Sequence, residues 1–199
     1  MNTLVAHGGG LTAAARGSSP RPGLLLDRDG TIIVDHGYVG SVEQVDFIDG
    51  APEAIAAFNR ANVPVAVVTN QAGVARGYYG IDDVTRVHEH IAARLAECGA
   101  YIDLFLYCPY HPEGVVEGFA RASEDRKPRP GMAMAAAEAL NLDLASSWVV
   151  GDRPEDLGLA AAVGAAAVCL EPGGEHHDGV WSFPTLAAAA PFILERITA

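Results

Sequence analysis

The chain has 199 residues, of which 50% are hydrophobic and 19% are charged, as is typical of a globular protein. Its formal net charge is −12, which disfavours a protein that binds the phosphate backbone of a nucleic acid. The three cysteines are an odd number without close spacing, so they indicate no disulfide framework and favour a reducing cytoplasm. The chain contains no uninterrupted run of about twenty apolar residues, so no membrane span is predicted.

The N-terminal segment, residues 1–22, contains Gly8-Gly9-Gly10 and Ser18-Ser19-Pro20. It lacks the continuous apolar core of a signal peptide. We therefore predict a flexible leader over residues 1–22, followed by a single domain over residues 23–199. The latter is long enough to bury a sizeable core.

The first predicted strand is the apolar run from Gly23 to Leu26, which ends at Asp27 and Asp29. The run shows no polar alternation, which indicates a strand covered on both faces. Because side chains two apart on an extended backbone point the same way, both carboxylates should enter one space. Two close carboxylates repel each other, which favours a cation or a shared proton between them. The alternative is a plain strand followed by an Asp-Gly turn.

The rest of the chain alternates between predicted strands and helices. Further strands are predicted at 63–68, 104–107, 148–150 and 165–170, and helices are predicted to begin at Gly50, Asp82, Pro130, Pro154 and Leu186, the last interrupted by Pro191. This alternation predicts a three-layer α/β/α, Rossmann-like domain with a parallel sheet. The segments between the polar strand ends are too short for a separate lid domain, so we expect a capless fold with only a flap at 35–40 and a loop at 108–126.

Polar side chains follow three of the predicted strands. Asp27 and Asp29 follow the first, Thr69 and Asn70 the second, and Asp152 the fourth. Because the carboxyl ends of parallel strands meet at one edge of the sheet, these groups should converge there. The chemistry that they could share is phosphoryl transfer. Asp156, one helical turn beyond Asp152, is interpreted as orienting its neighbours rather than as a ligand.

Each of these groups has a role in such a reaction. Asp27 would attack phosphorus and form an aspartyl-phosphate, while Asp29 would protonate the leaving alkoxide and later deprotonate water. Mg²⁺ would be held by the carboxylates of Asp27 and Asp152 and by the backbone carbonyl of Asp29. The Thr69 hydroxyl would hold phosphoryl oxygens, and Lys127 would neutralise the charge that develops at phosphorus.

Four motifs carry a family resemblance: Asp27-Arg28-Asp29-Gly30-Thr31, Thr69-Asn70, Lys127-Pro128 and Gly151-Asp152 with Asp156. In this order they resemble the motifs of the haloacid dehalogenase (HAD) superfamily. The resemblance implies the α/β fold of that superfamily and a phosphoric monoester hydrolase. With an acid at Asp29, the chain resembles the phosphatases and mutases of the superfamily, because the ATPases of the superfamily usually have threonine at this position.

Longer matches resemble the heptose bisphosphate phosphatases within this superfamily. They include Asp35 to Val39, Thr69 to Gly77 and Arg126 to Met132. The resemblance implies removal of the C7 phosphate from D-glycero-D-manno-heptose 1,7-bisphosphate. It also implies substrate contacts by Asp35, His36, Gly37, Tyr38, Thr69, Asn70, Gln71, Ala72, Arg126, Lys127 and Arg153. Arg126 beside Lys127 would suit the second phosphate of such a substrate.

Three alternatives stay open at this point. Histidinol-phosphate phosphatases resemble the chain through the same four motifs, although the flap from Asp35 to Tyr38 favours the heptose enzyme. A phosphatase of DNA 3′ ends shares the first motif but does not suit the acidic charge. A sugar-phosphate-binding module without activity is disfavoured because all the reactive residues are present. We expect a monomer that acts on a small phosphorylated sugar, with no nucleic-acid or membrane partner.

One departure from the resemblance concerns a structural zinc. Many relatives hold zinc through Cys-x-His and Cys-x-Cys in the long loop, whereas this chain keeps Cys108 but has Tyr110, Ser123 and Asp125 at the other positions. One soft ligand does not make a structural tetrahedral site. We therefore predict no zinc, with Tyr110 and Phe119 holding the loop by packing; the alternative is a site that uses neighbouring His111 with Asp125.

Two other pairs of residues are interpreted as structural. Tyr78 and Tyr79 precede the second predicted helix, and we interpret them as covering its start rather than lining a substrate site. His176 and His177 lie among glycines and are interpreted as part of a loop rather than as metal ligands.

Overall fold

The computed structural model describes residues 19–172 and 180–198. One sheet of six parallel strands has the order β3-β2-β1-β4-β5-β6. The strands are β1 (Leu24–Leu26), β2 (Val65–Asn70), β3 (Leu104–Cys108), β4 (Trp148–Gly151), β5 (Ala166–Leu170) and β6 (Trp181–Phe183). The α-helices are α1 (Ala51–Arg60), α2 (Ile81–Glu97), α3 (Gly131–Leu140), α4 (Pro154–Val163) and α5 (Leu186–Ile197).

Alternate side chains of the central strand enter two separate cores. Leu24 and Leu26 of β1 pack with apolar residues of α1, α2 and α5, whereas Leu25 packs with those of α3 and α4. All three leucines are fully buried, because helices cover both faces of the sheet. The predicted three-layer α/β/α fold with a parallel sheet is therefore confirmed.

Three details differ from the sequence-based prediction. The second strand runs to Asn70, since Thr69 and Asn70 pair with Tyr107 and Cys108 of β3. Strand β6 was missed because its three residues are too few to show a periodic pattern. The last helix continues through Pro191, since a proline removes one hydrogen bond while the apolar face of α5 stays packed against the core.

The strand order places a crevice beside β1. The chain runs from β1 outward to β2 and β3 and then returns to β4 on the other side of β1. Open α/β sheets bind ligands at such a switch point, outside the carboxyl ends of the strands. Asp27 follows β1 and Asp152 follows β4, so both lie at this point. Two segments without α-helix lie near this crevice in the chain path. A flap with one 3₁₀ turn, Val42–Gln44, lies between β1 and α1, and a long loop lies between β3 and α3.

Some predictions lie outside the described residues. These are the leader over residues 1–18 and the His176-His177 pair. Arg21, within the predicted leader, pairs with Leu142 through backbone hydrogen bonds to Asn141 and Asp143. None of the described helices combines the length and the apolar character that crossing a bilayer requires.

Candidate active site

A buried group of charges surrounds Asp27 at the end of β1. Lys127 Nζ lies 2.8 Å from Asp27 Oδ1 and donates a hydrogen bond to Asp156 Oδ1 at 2.5 Å. All three side chains are at least nine-tenths buried. Burial alone would lower the pKa of Lys127, but the adjacent carboxylates of Asp27 and Asp156 raise it overall. Lys127 is thus held as a cation beside Asp27.

Asn70, at the end of β2, fixes the backbone of Lys127. The Asn70 amide donates to the carbonyl oxygen of Lys127 at 3.1 Å and accepts from its N–H at 3.0 Å. Because Asn70 belongs to the sheet, these two hydrogen bonds tie the long loop to the strand edge. The predicted convergence of residues from β2 and from this loop is explained by this pair of contacts.

Three carboxylates form a cluster suited to a hard cation. Oxygen atoms of Asp27, Asp152 and Asp156 lie within 4.8 Å of one another. Asp152 Oδ1 is buried and accepts no hydrogen bond from any described residue, and burial, followed by the charge of Asp27, raises the pKa of Asp152 to about 6. A buried carboxylate oxygen without a donor fits a metal ion, and carboxylate oxygens are the ligands that Mg²⁺ prefers.

Asp156 also contacts the start of α4. Its Oδ2 accepts a hydrogen bond from the backbone N–H of Arg153 at 3.1 Å, which supports the interpretation that Asp156 orients its neighbours. Burial raises the pKa of Asp156 to about 6 against the opposing charge of Lys127. A side chain at Gly151 would overlap Asp156, since a Cβ there would lie 2.2 Å from its Cγ.

Asp29 lines the same space as Asp27 but has different partners. Arg28 donates to both of its carboxylate oxygens at 3.0–3.2 Å, and Gln71 Nε2 donates to its Oδ2 at 2.9 Å. Burial raises the pKa of Asp29 above its ordinary value, although the charge of Arg28 acts in the opposite direction. A carboxyl group with a raised pKa suits proton transfer.

A cavity of about 300 Å³ opens above these carboxylates. Of the predicted site residues, it is lined by Asp27, Asp29, Asp35, Gly37, Tyr38, Thr69, Asn70, Gln71, Ala72, Arg126, Lys127 and Arg153. His36 does not line it; its Nε2 lies 2.8 Å from Asp46 Oδ2 in an exposed contact. Asp152 lies beside Asp27 in the carboxylate cluster.

Two arginines that line the cavity each have one buried nitrogen without a hydrogen bond in the described part of the chain. Arg126 Nη1 and Arg76 Nε are both buried and donate no hydrogen bond to a described residue, and both residues line the cavity. His111 lines it as well, and the charges of Arg126 and Arg76 add to burial in lowering its pKa. This basic wall is suited to an anion.

The flap is tied to helix α4 by an ion pair. Arg153 Nη2 donates to Asp35 Oδ2 at 2.6 Å, and the edge of the Tyr38 ring meets the ring of Tyr78 at a centroid distance of 4.7 Å. The flap therefore forms one wall of the cavity from Asp35 to Tyr38.

Sequence reasoning missed several residues at this site. Arg28 was quoted as part of the first motif but was given no role, although it is fully buried. Tyr79 was interpreted as covering the start of a helix, and this is wrong, because it lines the cavity and donates to Gln71. Arg76 and Glu155 also line the cavity. The only sequence signal for Arg76 is its place in the motif that runs from Thr69 to Gly77.

The long loop after β3 is packed around an aromatic ring. Tyr110 is 4% exposed, and its ring centroid lies 5.9 Å from that of Phe119. The guanidinium carbon of Arg121 lies 3.9 Å from the centroid of the Tyr110 ring. The expected packing of Tyr110 against Phe119 is present. Ser123 and Asp125 hydrogen-bond to each other. The absence of zinc stays a prediction.

Comparisons with known proteins connect this geometry to a family. The HAD-hydrolase-like family matches residues 125–191. The chain is 41% identical, over 75% of its length and 78% of the relative's, to a D-glycero-β-D-manno-heptose-1,7-bisphosphate 7-phosphatase of Escherichia coli O6:H1. It is 42% identical to the protein of the same name from Pasteurella multocida, over 67% of this chain and 72% of that one.

A solved structure gives the same result. The D,D-heptose 1,7-bisphosphate phosphatase from B. bronchiseptica, complexed with magnesium and phosphate, is 32% identical with a TM-score of 0.76. The match covers 87% of this chain and 98% of that chain. The chain therefore belongs to the HAD phosphatases, within the family of D-glycero-D-manno-heptose-1,7-bisphosphate 7-phosphatases.

Proposed function

We propose that the protein removes the C7 phosphate of D-glycero-D-manno-heptose 1,7-bisphosphate in a Mg²⁺-dependent reaction in the cytoplasm. The observation that carries the proposal is the ion pair of Asp27 with Lys127 at the base of a cavity with a basic wall. Beside this pair, Asp152 Oδ1 is buried and accepts no hydrogen bond from a described residue. The relatives in Escherichia coli and Pasteurella multocida, which carry this activity in their names, support it.

The reaction proceeds in two steps through Asp27. Its carboxylate attacks phosphorus and forms an aspartyl-phosphate, while Asp29 donates a proton to the C7 oxygen as the P–O bond breaks. Asp29 then takes a proton from the water that attacks the aspartyl-phosphate, which releases inorganic phosphate and restores Asp27. Water is thereby consumed, and heptose 1-phosphate and phosphate are the products.

Mg²⁺ would be held by the carboxylates of Asp27 and Asp152 and by the backbone carbonyl of Asp29. Bound there, it supplies positive charge that offsets the repulsion between Asp27 and the phosphate. Lys127 adds a second cation beside Asp27, and the Thr69 hydroxyl, which lines the cavity, holds a phosphoryl oxygen.

The second phosphate of the substrate is assigned to the basic wall. Nη1 of Arg126 donates no hydrogen bond to a described residue. A phosphate oxygen would supply the missing acceptor, because a buried guanidinium nitrogen without an acceptor is costly. The flap residues Asp35, Gly37 and Tyr38 border the sugar between the two phosphates, and Arg153 holds Asp35 in place. A substrate with only one phosphate would leave Nη1 of Arg126 without an acceptor.

Phosphate release with Mg²⁺ tests the proposal. The kcat/KM for heptose bisphosphate should exceed that for histidinol phosphate, and Asp27→Asn should lower turnover at least about 1,000-fold because the nucleophile is lost. Asp49→Asn is the matched control, since Asp49 is exposed and does not line the cavity. A preference for histidinol phosphate, or equal rates for Asp27→Asn and wild type, would contradict the proposal.

A further inference from the structure

The buried side-chain amide of Gln71 lies among four polar groups of the site. Gln71 is 1% exposed. Its Nε2 donates to Asp29 Oδ2 at 2.9 Å and to Thr69 Oγ1 at 3.0 Å. Its Oε1 accepts from Arg28 Nη2 at 3.1 Å and from the Tyr79 hydroxyl at 2.7 Å. Both N–H groups and both acceptor positions of the amide are therefore used by the protein itself.

The orientation of this amide is determined by Arg28. A guanidinium group only donates hydrogen bonds, so the atom of Gln71 that faces Arg28 must be the oxygen. The NH₂ group must then face Asp29 and Thr69. Arg28 is fully buried and is itself fixed by donation to the carbonyl oxygen of Val39 at 2.9 Å. The direction of the amide is thus set by Arg28, which also donates to both carboxylate oxygens of Asp29.

The Tyr79 hydroxyl gives the amide oxygen its second donor. The ring of Tyr79 is closely packed, since a Cβ at Gly40 or Gly73 would lie 2.2–2.3 Å from its carbon atoms. Glycine at both positions leaves room for the ring beside the flap and beside the segment after β2. The hydroxyl is consequently held at one place, directed at Gln71 Oε1.

We propose that Gln71, fixed between Arg28 and Tyr79, is a positioning residue that holds the Asp29 carboxylate in the direction needed for proton transfer to the leaving group. This rests on the proposed function, in which Asp29 is the general acid. Gln71 offers no free polar atom to a substrate, because its four hydrogen-bonding positions are occupied. Since Thr69 Oγ1 accepts from Gln71, the Thr69 hydroxyl hydrogen stays available for a phosphoryl oxygen.

The leaving group of the substrate provides a readout specific to this role. An alkoxide needs a proton as it leaves, whereas p-nitrophenolate is stable without one, so only the alkyl phosphate depends on Asp29 in the first step. We therefore compare kcat/KM for heptose bisphosphate, an alkyl phosphate, with kcat/KM for p-nitrophenyl phosphate. The ratio of the first value to the second isolates this step. A purely structural change, or a change at Thr69, lowers both values together.

Two variants test the role of Gln71. Tyr79→Phe keeps the packed ring and removes one donor, and we expect it to lower the ratio by about fivefold. Gln71→Glu keeps the shape but places an acceptor against Asp29, and we expect it to lower the ratio by about tenfold or more. Tyr101→Phe, the same change at a tyrosine that is 47% exposed and does not line the cavity, should leave the ratio unchanged.

Asp29→Asn separates this inference from the proposed function. If Asp29→Asn lowers the ratio but Tyr79→Phe and Gln71→Glu do not, the positioning role of Gln71 is overturned while Asp29 remains the acid. If Asp29→Asn leaves the turnover of the alkyl phosphate unchanged, the proposed acid role fails, and the positioning role fails with it. Thermal unfolding of each variant shows that the enzyme measured is folded.

Discussion

Gly30 allows two acidic segments of the site, which end at Asp29 and at Asp152, to approach each other. It has a φ of +79°, and a Cβ at this position would lie 2.3 Å from Asp152 Oδ2. The glycine therefore serves two purposes: it allows the left-handed backbone after Asp29, and it lets the Asp152 carboxylate approach the end of β1. Any side chain at this position must displace Asp152 from the cluster.

We predict that Gly30→Ala raises the Mg²⁺ concentration needed for half-maximal activity by at least about tenfold, because it displaces a carboxylate ligand. Titration of activity with MgCl₂ measures this change. Gly99→Ala is the control, since Gly99 has a φ of +69° with nothing within 4 Å of its Cβ position. Both variants carry the same backbone strain of about 1–2 kcal/mol, so an equal Mg²⁺ requirement in the two would contradict the prediction.

The residues that could be predicted from the sequence are those whose position follows from the chain path. Asp27 and Asp152 directly follow strands, Thr69 lies in the last two residues of β2, and parallel strands bring their carboxyl ends to one edge. The direction of a loop side chain does not follow from the path. His36 turns towards Asp46, and Tyr79 turns into the cavity, because each direction is set by side-chain contacts that the alternation of strands and helices does not determine.

At the scale of elements, the long loop after β3 positions Arg126 and Lys127. Its backbone is tied to β2 through Asn70, and its interior is filled by Tyr110 between Phe119 and Arg121. Aromatic packing and a cation over the ring face supply contacts at the position where the family resemblance implies a structural zinc. The replacement of zinc ligands was visible in the sequence; the place of Arg121 over the ring was not, because it requires the loop to fold back.

We predict that the loop is stable without zinc. Protein purified without added metal should contain far less than stoichiometric zinc by elemental analysis, and a strong zinc chelator should leave its unfolding temperature unchanged. Tyr110→Ala should instead lower the free energy of unfolding by about 3 kcal/mol, because it removes a buried aromatic ring. Tyr101→Ala, at an exposed position, is the control. Stoichiometric zinc would refute this account of the loop.

At the scale of the whole molecule, negative charge is concentrated where the cation is expected. The formal net charge of the chain is −12, and Asp27, Asp152 and Asp156 meet at the end of β1 with Lys127 as a buried cation beside them. Desolvation raises the pKa of Asp152 and of Asp156 to about 6, above the value of about 3.9 in an unfolded chain. The folded protein therefore keeps these two carboxyl groups protonated up to a higher pH than the unfolded chain does.

These two pKa values make one contribution to the pH dependence of the stability of the metal-free protein. Between about pH 4 and pH 6 the folded state binds more protons than the unfolded state at Asp152 and Asp156, so their contribution to stability falls as the pH rises through this window. Above about pH 6 both groups are ionised in both states and this contribution no longer changes. Under the proposed function Mg²⁺ would bind the ionised cluster, so protons would compete with it below that pH.

We predict that Mg²⁺ raises the unfolding temperature more at pH 7.5 than at pH 5. At a concentration about 100 times its dissociation constant, a ligand of the folded state adds about 2.7 kcal/mol, which corresponds to roughly 5–10 °C for a chain of this size. At pH 5 the gain should be smaller, because Asp152 must first lose its proton. Differential scanning calorimetry with MgCl₂, and with NaCl at matched ionic strength, separates metal binding from screening of the net charge. Asp152→Asn should abolish the gain at pH 7.5, and an equal gain at both pH values would show that the carboxylate cluster is not where the cation binds.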